Sequence, residues 1–228
     1  MADPEPAEGA PDVRAAIVRD AIGVGLATGA YALSFGALST TAGLSVPQTC
    51  ALSLLMFTGA SQFALIGILG GGGTASAAAA TAVLLGGRNA LYGLRLSSLL
   101  GVRGARRAVA AQFVIDESTA MALGRGTPSN ARLGFWSTGI AIFTLWNAGT
   151  LIGALSADLL SDPKVFGLDA AVPAAFVALL AQQLRGQGRQ PWMVALLAAL
   201  VAIVTTPFVP IGVPVLCAAV VAVLVGLR

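Results

Sequence analysis

The sequence predicts an all-α, polytopic membrane protein built from seven or eight transmembrane or re-entrant helices. Three observations carry that reading. First, 57% of its 228 residues are hydrophobic and only 10% are charged, with a mean hydropathy of +0.86. An average soluble domain is roughly 25% charged, and a soluble chain of this size could not hide so much apolar surface. Second, uncharged runs of about 20 residues, the length of a membrane-crossing helix, recur without the polar stripe of a soluble amphipathic bundle. Third, the basic residues are scattered arginines near the ends of these runs, with lysine only at Lys164. That pattern suits anchoring at a lipid interface and excludes a nucleic-acid partner.

The elements follow in order. Residues 1–13, acidic and proline-containing, read as a disordered cytoplasmic tail and not as a secretory signal, and residues 14–228 as one transmembrane transporter domain. The first span runs from Ile22 to Thr41 behind Arg14 and Arg19. The second runs from Pro47 to Leu69 and is followed by Gly70–Gly73. The third, Ala75–Leu100, holds Arg88 and Arg95; the fourth, Val109–Leu123, is short and holds Asp116 and Glu117. Leu133–Leu155, Leu168–Leu184, Pro191–Pro207 and Val209–Leu227 complete the set, the last two separated only by the turn at Pro207–Pro210.

Arginine placement sets the orientation. Arg14 and Arg19 favour a cytoplasmic N-terminus, and Arg125, Arg132, Arg185 and Arg189 favour cytoplasmic loops. Arg103, Arg106 and Arg107 disagree: they fall outside if every segment crosses. Either a segment among the second to fourth is re-entrant, or the rule fails there. The tetrapeptide Gly36-Ala37-Leu38-Ser39 recurs as Gly153-Ala154-Leu155-Ser156, a chance match or the trace of two structural repeats. Glycines spaced four apart, Gly25 with Gly29 and Gly149 with Gly153, indicate close helix packing.

Histidine is absent, which removes His-based metal sites, His proton relays and Ser–His catalysis. Cys50 and Cys217 lie in apolar runs without metal or disulfide spacing. No metal or cofactor is expected. Ser61 lacks the second glycine of a nucleophile elbow, which with no histidine argues against an enzyme.

Four polar clusters interrupt the apolar spans. Thr58-Gly59-Ala60-Ser61-Gln62 can open a helix, which is tolerated only where protein or a wet cavity re-satisfies the backbone; Ser61 and Gln62 can equally hydrogen-bond between helices. Gly86-Gly87-Arg88-Asn89 precedes Tyr92 and Arg95, and Arg88, Tyr92 and Arg95 share a helical face able to meet a carboxylate. Alternatively Arg88 pairs with an acid and Arg95 snorkels. Asp116 and Glu117 point about 100° apart on a helix, so one can face a partner; a carboxyl there is a candidate proton carrier or half of a static pair with Arg88. Asp169, ahead of Pro173 and Phe176, is a further acid or a helix cap. Trp146 with Asn147 reads as helix packing.

In this order the clusters resemble the AzlC family of branched-chain amino-acid permeases. The matching stretches are Ser34-Phe35-Gly36 with Ala42-Gly43-Leu44, Phe57 through Phe63, Arg88-Asn89-Ala90-Leu91-Tyr92-Gly93, Asp116-Glu117, and Asp169 through Phe176. The family usually has Arg-His where this chain has Arg88-Asn89, which moves any proton-coupling role to Asp116 or Glu117. The resemblance implies export of aliphatic amino acids across the cell inner membrane by a multi-pass secondary transporter. It also implies a small AzlD-type membrane subunit as partner. A zwitterion needs donors for its carboxylate, for which Arg88 or opened amides at Gly59–Ser61 are candidates. It needs acceptors for its ammonium, for which Asp116, Glu117 or Asp169 are candidates, and an apolar pocket, for which Phe35, Phe57 and Phe63 are candidates. The competing reading is a non-transporting membrane subunit or scaffold.

Overall fold

A computed structural model describes residues 11–156, 177, 180–181, 184–186 and 188–226. Among these residues the fold is all-helical. Helix α1 (Pro11–Thr41) begins inside the stretch expected to be tail, so residues 11–13 are helical. Helix α2 (Val46–Leu55) starts at a capping box: the Ser45 hydroxyl accepts from the Gln48 amide, and the Gln48 side chain accepts from the Ser45 amide. Helices α3 (Gly59–Gly70) and α4 (Ala75–Leu100) follow, with the Thr74 hydroxyl capping α4 and Gly101 ending it at φ 63°, a left-handed turn natural to glycine. Next come α5 (Ala105–Gln112), α6 (Asp116–Leu123), α7 (Pro128–Ser156), α8 (Arg189–Thr205) and α9 (Val213–Gly226). Asp158, Asp162, Asp169 and most of the expected span Leu168–Leu184 lie outside the described residues.

Among the described residues, α1 and α7 are the two helices both long and strongly apolar enough to cross a membrane; α4, at 26 residues, has the length but carries Arg88 and Arg95. Helices α1 and α7 pack side by side and run in the same direction. Gly25 faces Ala141 and Leu145, Gly29 faces Leu145, Gly149 sits on the Gly29 carbonyl, and Gly36 sits on the Thr150 carbonyl and Ala154. Residue numbers rise together on both helices. Small residues let the backbones touch, as the glycine spacing predicts. The two Gly-Ala-Leu-Ser stretches stand at this contact, where Gly153 meets the Leu33 carbonyl and Gly36 meets Thr150.

Two expected spans depart from a continuous helix. Pro47–Leu69 is the pair α2 and α3, folded back at Met56–Thr58. The end of α3 returns to the level of α2's start, since a side chain on Gly70 would touch Ala42, just past the end of α1. Gln62 Nε2, early in α3, donates to the Leu52 carbonyl of α2 at 3.2 Å and pins the hairpin. Val109–Leu123 lies in the pair α5 and α6, folded back at Phe113–Ile115. Helix α6 returns to the end where α4 stops and α7 starts. There Gly134 of α7 meets the Met121 carbonyl, and Arg125 pairs with Asp20 of α1 at 2.9 Å.

The hairpin tips meet. Gln112 Nε2 donates to the Leu54 carbonyl at 2.8 Å, and the Phe57 and Phe113 rings lie 6.4 Å apart with Phe143 of α7 against both. Tyr31, Phe35, Phe63 and Trp146 form an aromatic cluster beside them. Outward faces are apolar: α8 has no buried residue, and Leu91, Leu94, Leu196 and Ile203 are exposed.

Candidate functional site

A cleft opens where the two tips, the middle of α4 and the α1–α7 pair converge. Thr28 and Tyr31 of α1, Phe57–Ala60 of the first hairpin, Arg88 of α4, Ile115–Glu117 of the second hairpin, and Ile142 and Trp146 of α7 line it. The space open to the centre of a water-sized sphere is about 30 Å³, room for a water or two and too little for an aliphatic amino acid.

Each charged group arrives there for a local reason. Arg88 is half-way along α4. Asp116 and Glu117 are the first two residues of α6, where carboxylates favour the positive end of the helix. The turn that aims them is held by Ser118, whose hydroxyl donates to the Phe113 carbonyl at 2.6 Å and accepts from the Ile115 amide at 3.2 Å. Arg88 Nη2 donates to Asp116 Oδ2 at 2.6 Å, while Asp116 Oδ1 and Arg88 Nε have no hydrogen-bond partner among the described residues. Glu117 lines the same cleft and forms no salt bridge among the described residues. Of the two acids it is Asp116 that pairs with Arg88.

Opposite this pair, α3 begins at Thr58 without a side-chain cap. The first amides of a helix have no intrahelical partner, so Gly59 and its neighbours present free N–H groups and a partial positive charge at the cleft. Trp146 Nε1 is also unpartnered among the described residues, although the residue is only 3% exposed. Tyr31 stands edge-on to Trp146 with ring centres 4.9 Å apart, and both touch Gly59.

The expected site residues divide. Gly59, Arg88, Asp116 and Glu117 line the cleft. Ser61 turns toward Gly86 of α4, and Gln62 holds the first hairpin together. Asn89 faces a separate groove with Gly93 and Val114. Tyr92 packs against the cluster of Leu96 and Leu100 and brings its hydroxyl close to Asp116. Arg95, expected to share the Arg88 face, is exposed one end further down beside Leu123 and Arg132, as a snorkelling side chain would be. Of the three phenylalanines expected to form the apolar wall, Phe57 lines the cleft, whereas Phe35 and Phe63 back its aromatic wall. Thr28, Tyr31, Ile142 and Trp146 were not among the expected residues; a lone tyrosine in the first apolar run was the available signal.

An all-helical fold among the described residues, with two membrane-length apolar helices and an ion pair between packed elements, is consistent with a helical membrane protein. The chain belongs to the AzlC family: the family described as AzlC protein matches residues 23–160. Among its relatives, the chain is 31% identical over 157 residues to the inner membrane protein YgaZ of Escherichia coli strain K12. That alignment covers 65% of this chain and 64% of the relative, so it spans somewhat under two thirds of that protein's length. It is 29% identical over 158 residues to an uncharacterized membrane protein of Archaeoglobus fulgidus, covering 68% of this chain and 69% of the relative. No solved structure matches.

Proposed function

We propose that the chain is a multi-pass secondary transporter of the cell inner membrane that exports branched-chain and other aliphatic amino acids, coupled to protons and working with a small AzlD-type membrane subunit. One observation carries the reading: a single cleft joins charges of both signs to an apolar wall. Arg88 and the uncapped start of α3 suit a substrate carboxylate. Asp116 suits the ammonium, and Tyr31, Phe57, Ile142 and Trp146 suit an aliphatic side chain. Binding a zwitterion this way exchanges the Arg88–Asp116 pair for two substrate contacts, so no charge is left unpaired. Glu117, in the cleft without an ion-pair partner among the described residues, suits a carboxyl that carries a proton. Asp169 remains a candidate for that role. A membrane-embedded ion pair with unused donors and acceptors favours this reading over a scaffold, which gains little from such groups.

The test is efflux of labelled valine from loaded proteoliposomes, with and without the small subunit. Arg88→Ala and Asp116→Ala should each abolish it while the protein stays folded in detergent. Undiminished efflux in both variants would overturn the site assignment. No thermal stabilisation by any aliphatic amino acid, with or without the subunit, would favour the scaffold.

A further inference from the structure

We propose that the core is an inverted pair of three-helix units, α1–α3 and α4–α6, each a membrane-crossing helix followed by a re-entrant hairpin. The two hairpins are the gates on opposite sides of the cleft. The topology half stands on the fold alone; the gating half rests on the transport reading.

The chain reversals come first. Helix α1 ends beside the start of α2, and Gly70 at the end of α3 comes back to Ala42. Helix α4 then begins at that same end, where Gly73 and Gly212 meet Ile68 and Gly212 meets Ala77. It stops at the opposite end, where Arg132 of α7 donates to the Leu99 carbonyl at 2.9 Å. From there α5 rises to the tip contact with Leu54, and α6 returns to the Arg125–Asp20 pair. Helices α2 and α3 have 10 and 12 residues, and α5 and α6 have 8 each. At 1.5 Å per residue these reach roughly 12–18 Å, about half of a 30 Å hydrocarbon layer. Two half-depth hairpins entering from opposite faces must meet near the middle, where the cleft is.

Helix direction gives an independent check. Because α1 and α7 run parallel, an odd number of the segments between them crosses the membrane. With both hairpins re-entrant, α4 is that one segment. Charge gives a second check. This topology puts Arg14 and Arg19, the Arg103–Arg107 cluster, and Arg125 with Arg132 on one face. The opposite connections, residues 42–45 and 71–74, carry no charge. The conflict with the positive-inside rule disappears, and that face is the cytoplasmic one. Irregular backbone at the tips is acceptable because it lines a cavity and is covered by protein.

The tips also hold the site. The first hairpin brings Gly59 to the cleft, the second brings Asp116 and Glu117, and they touch through Gln112 and Leu54. Drawing the α2–α3 tip aside opens the cleft to the outer face, and drawing the α5–α6 tip aside opens it to the cytoplasm. The cleft as it stands is too small for substrate, so a tip must move to admit it.

Single cysteines in a Cys50→Ala/Cys217→Ala background, labelled in intact cells by a membrane-impermeant maleimide, test the topology. Thr41→Cys and Ser76→Cys should both be labelled from outside. Arg103→Cys and Gly126→Cys should be labelled only after permeabilisation. Thr41→Cys and Ser76→Cys on opposite sides would overturn the re-entrant assignment. For the gates, Leu54→Cys/Gln112→Cys joined by a short reducible bis-methanethiosulfonate linker should lose at least ten-fold in valine efflux and regain it on reduction. Linked protein that transports at the unlinked rate, or a pair that does not link, would overturn the gating contact. Absence of flux in the cysteine background itself counts against the transport reading, while the labelling still decides the topology.

Discussion

Arg88 Nη2 lies 2.6 Å from Asp116 Oδ2, tying the middle of α4 to the first residue of α6. It is a single-point contact, because Arg88 Nε and Asp116 Oδ1 are unpartnered among the described residues. Removing one member leaves the other charge stranded in a poorly hydrated place. With the side chains 33% and 25% exposed, water relieves part of that penalty. Arg88→Ala and Asp116→Ala should each destabilise by about 1–3 kcal/mol, and the double variant should lose clearly less than the sum. Thermal unfolding of all four proteins in detergent measures the coupling. Strictly additive losses would show that the pair contributes nothing beyond its parts.

The α1–α7 contact makes a sharper stability prediction. A methyl on Gly153 would fall on the Leu33 carbonyl, whereas a methyl on Gly23 of the same helix pair meets nothing within 4 Å. Gly153→Ala should therefore lower stability by roughly 1–3 kcal/mol or more as the helices are pushed apart. Gly23→Ala should be neutral or slightly stabilising, since alanine is the better helix former. Equal melting temperatures for the two variants would contradict the packing described.

Ser118 fastens the turn between α5 and α6 through the Phe113 carbonyl and the Ile115 amide. Ser118→Ala leaves both groups short of a partner in a buried place, at a cost of about 1–3 kcal/mol. Ser118→Thr keeps the hydroxyl and should recover most of that loss. Faster hydrogen exchange confined to residues 113–119 in the alanine variant would locate the effect at the tip.

The turn at Ser118 also shows what the sequence could and could not reveal. Long uncharged runs made α1 and α7 legible, and length with only two charges made α4 so, because a bilayer enforces length and apolarity together. The glycine spacing made the α1–α7 contact legible. The reversal before Gly59 was signalled by the Thr58–Gln62 cluster as an opened helix, though not as a fold-back; the one at Phe113–Ile115 was hidden, since its residues are apolar and carry neither proline nor glycine. A turn inside a protein need not be polar when rings such as Phe143 cover it and side chains from the flanking helices satisfy its backbone. Gln62, Gln112 and Ser118 do that work, and in sequence they look like ordinary polar residues in apolar helices. The misplaced arginines at 103–107, with the polar Thr58–Gln62 cluster inside an apolar span, were the visible symptoms of re-entrance. The choice of Asp116 over Glu117 as the partner of Arg88 depends on how the second tip is rotated, which residue spacing does not encode.

Gly59 separates folding from function most cleanly. A side chain there would lie 3.0 Å from Trp146 Cη2 and 3.0 Å from the Tyr31 hydroxyl. Both contacts are slightly too close, and both are to cleft walls. Alanine at the start of α3 suits a helix better than glycine by about 0.5–1 kcal/mol, which offsets the crowding, so Gly59→Ala should keep its melting temperature. The same methyl takes up space in a cleft that must widen around an aliphatic side chain. Valine efflux should fall several-fold, and leucine efflux further than valine because its side chain is longer. Trp146→Phe removes the ring atom that the new methyl meets. Adding it to Gly59→Ala should restore part of the lost flux, although Trp146→Phe alone, by loosening the wall against Tyr31, should not improve transport. Flux and melting temperature measured on the two singles and the double decide the matter. A Gly59→Ala protein that transports both substrates at the parental rate would place the substrate path elsewhere than between Gly59 and Trp146.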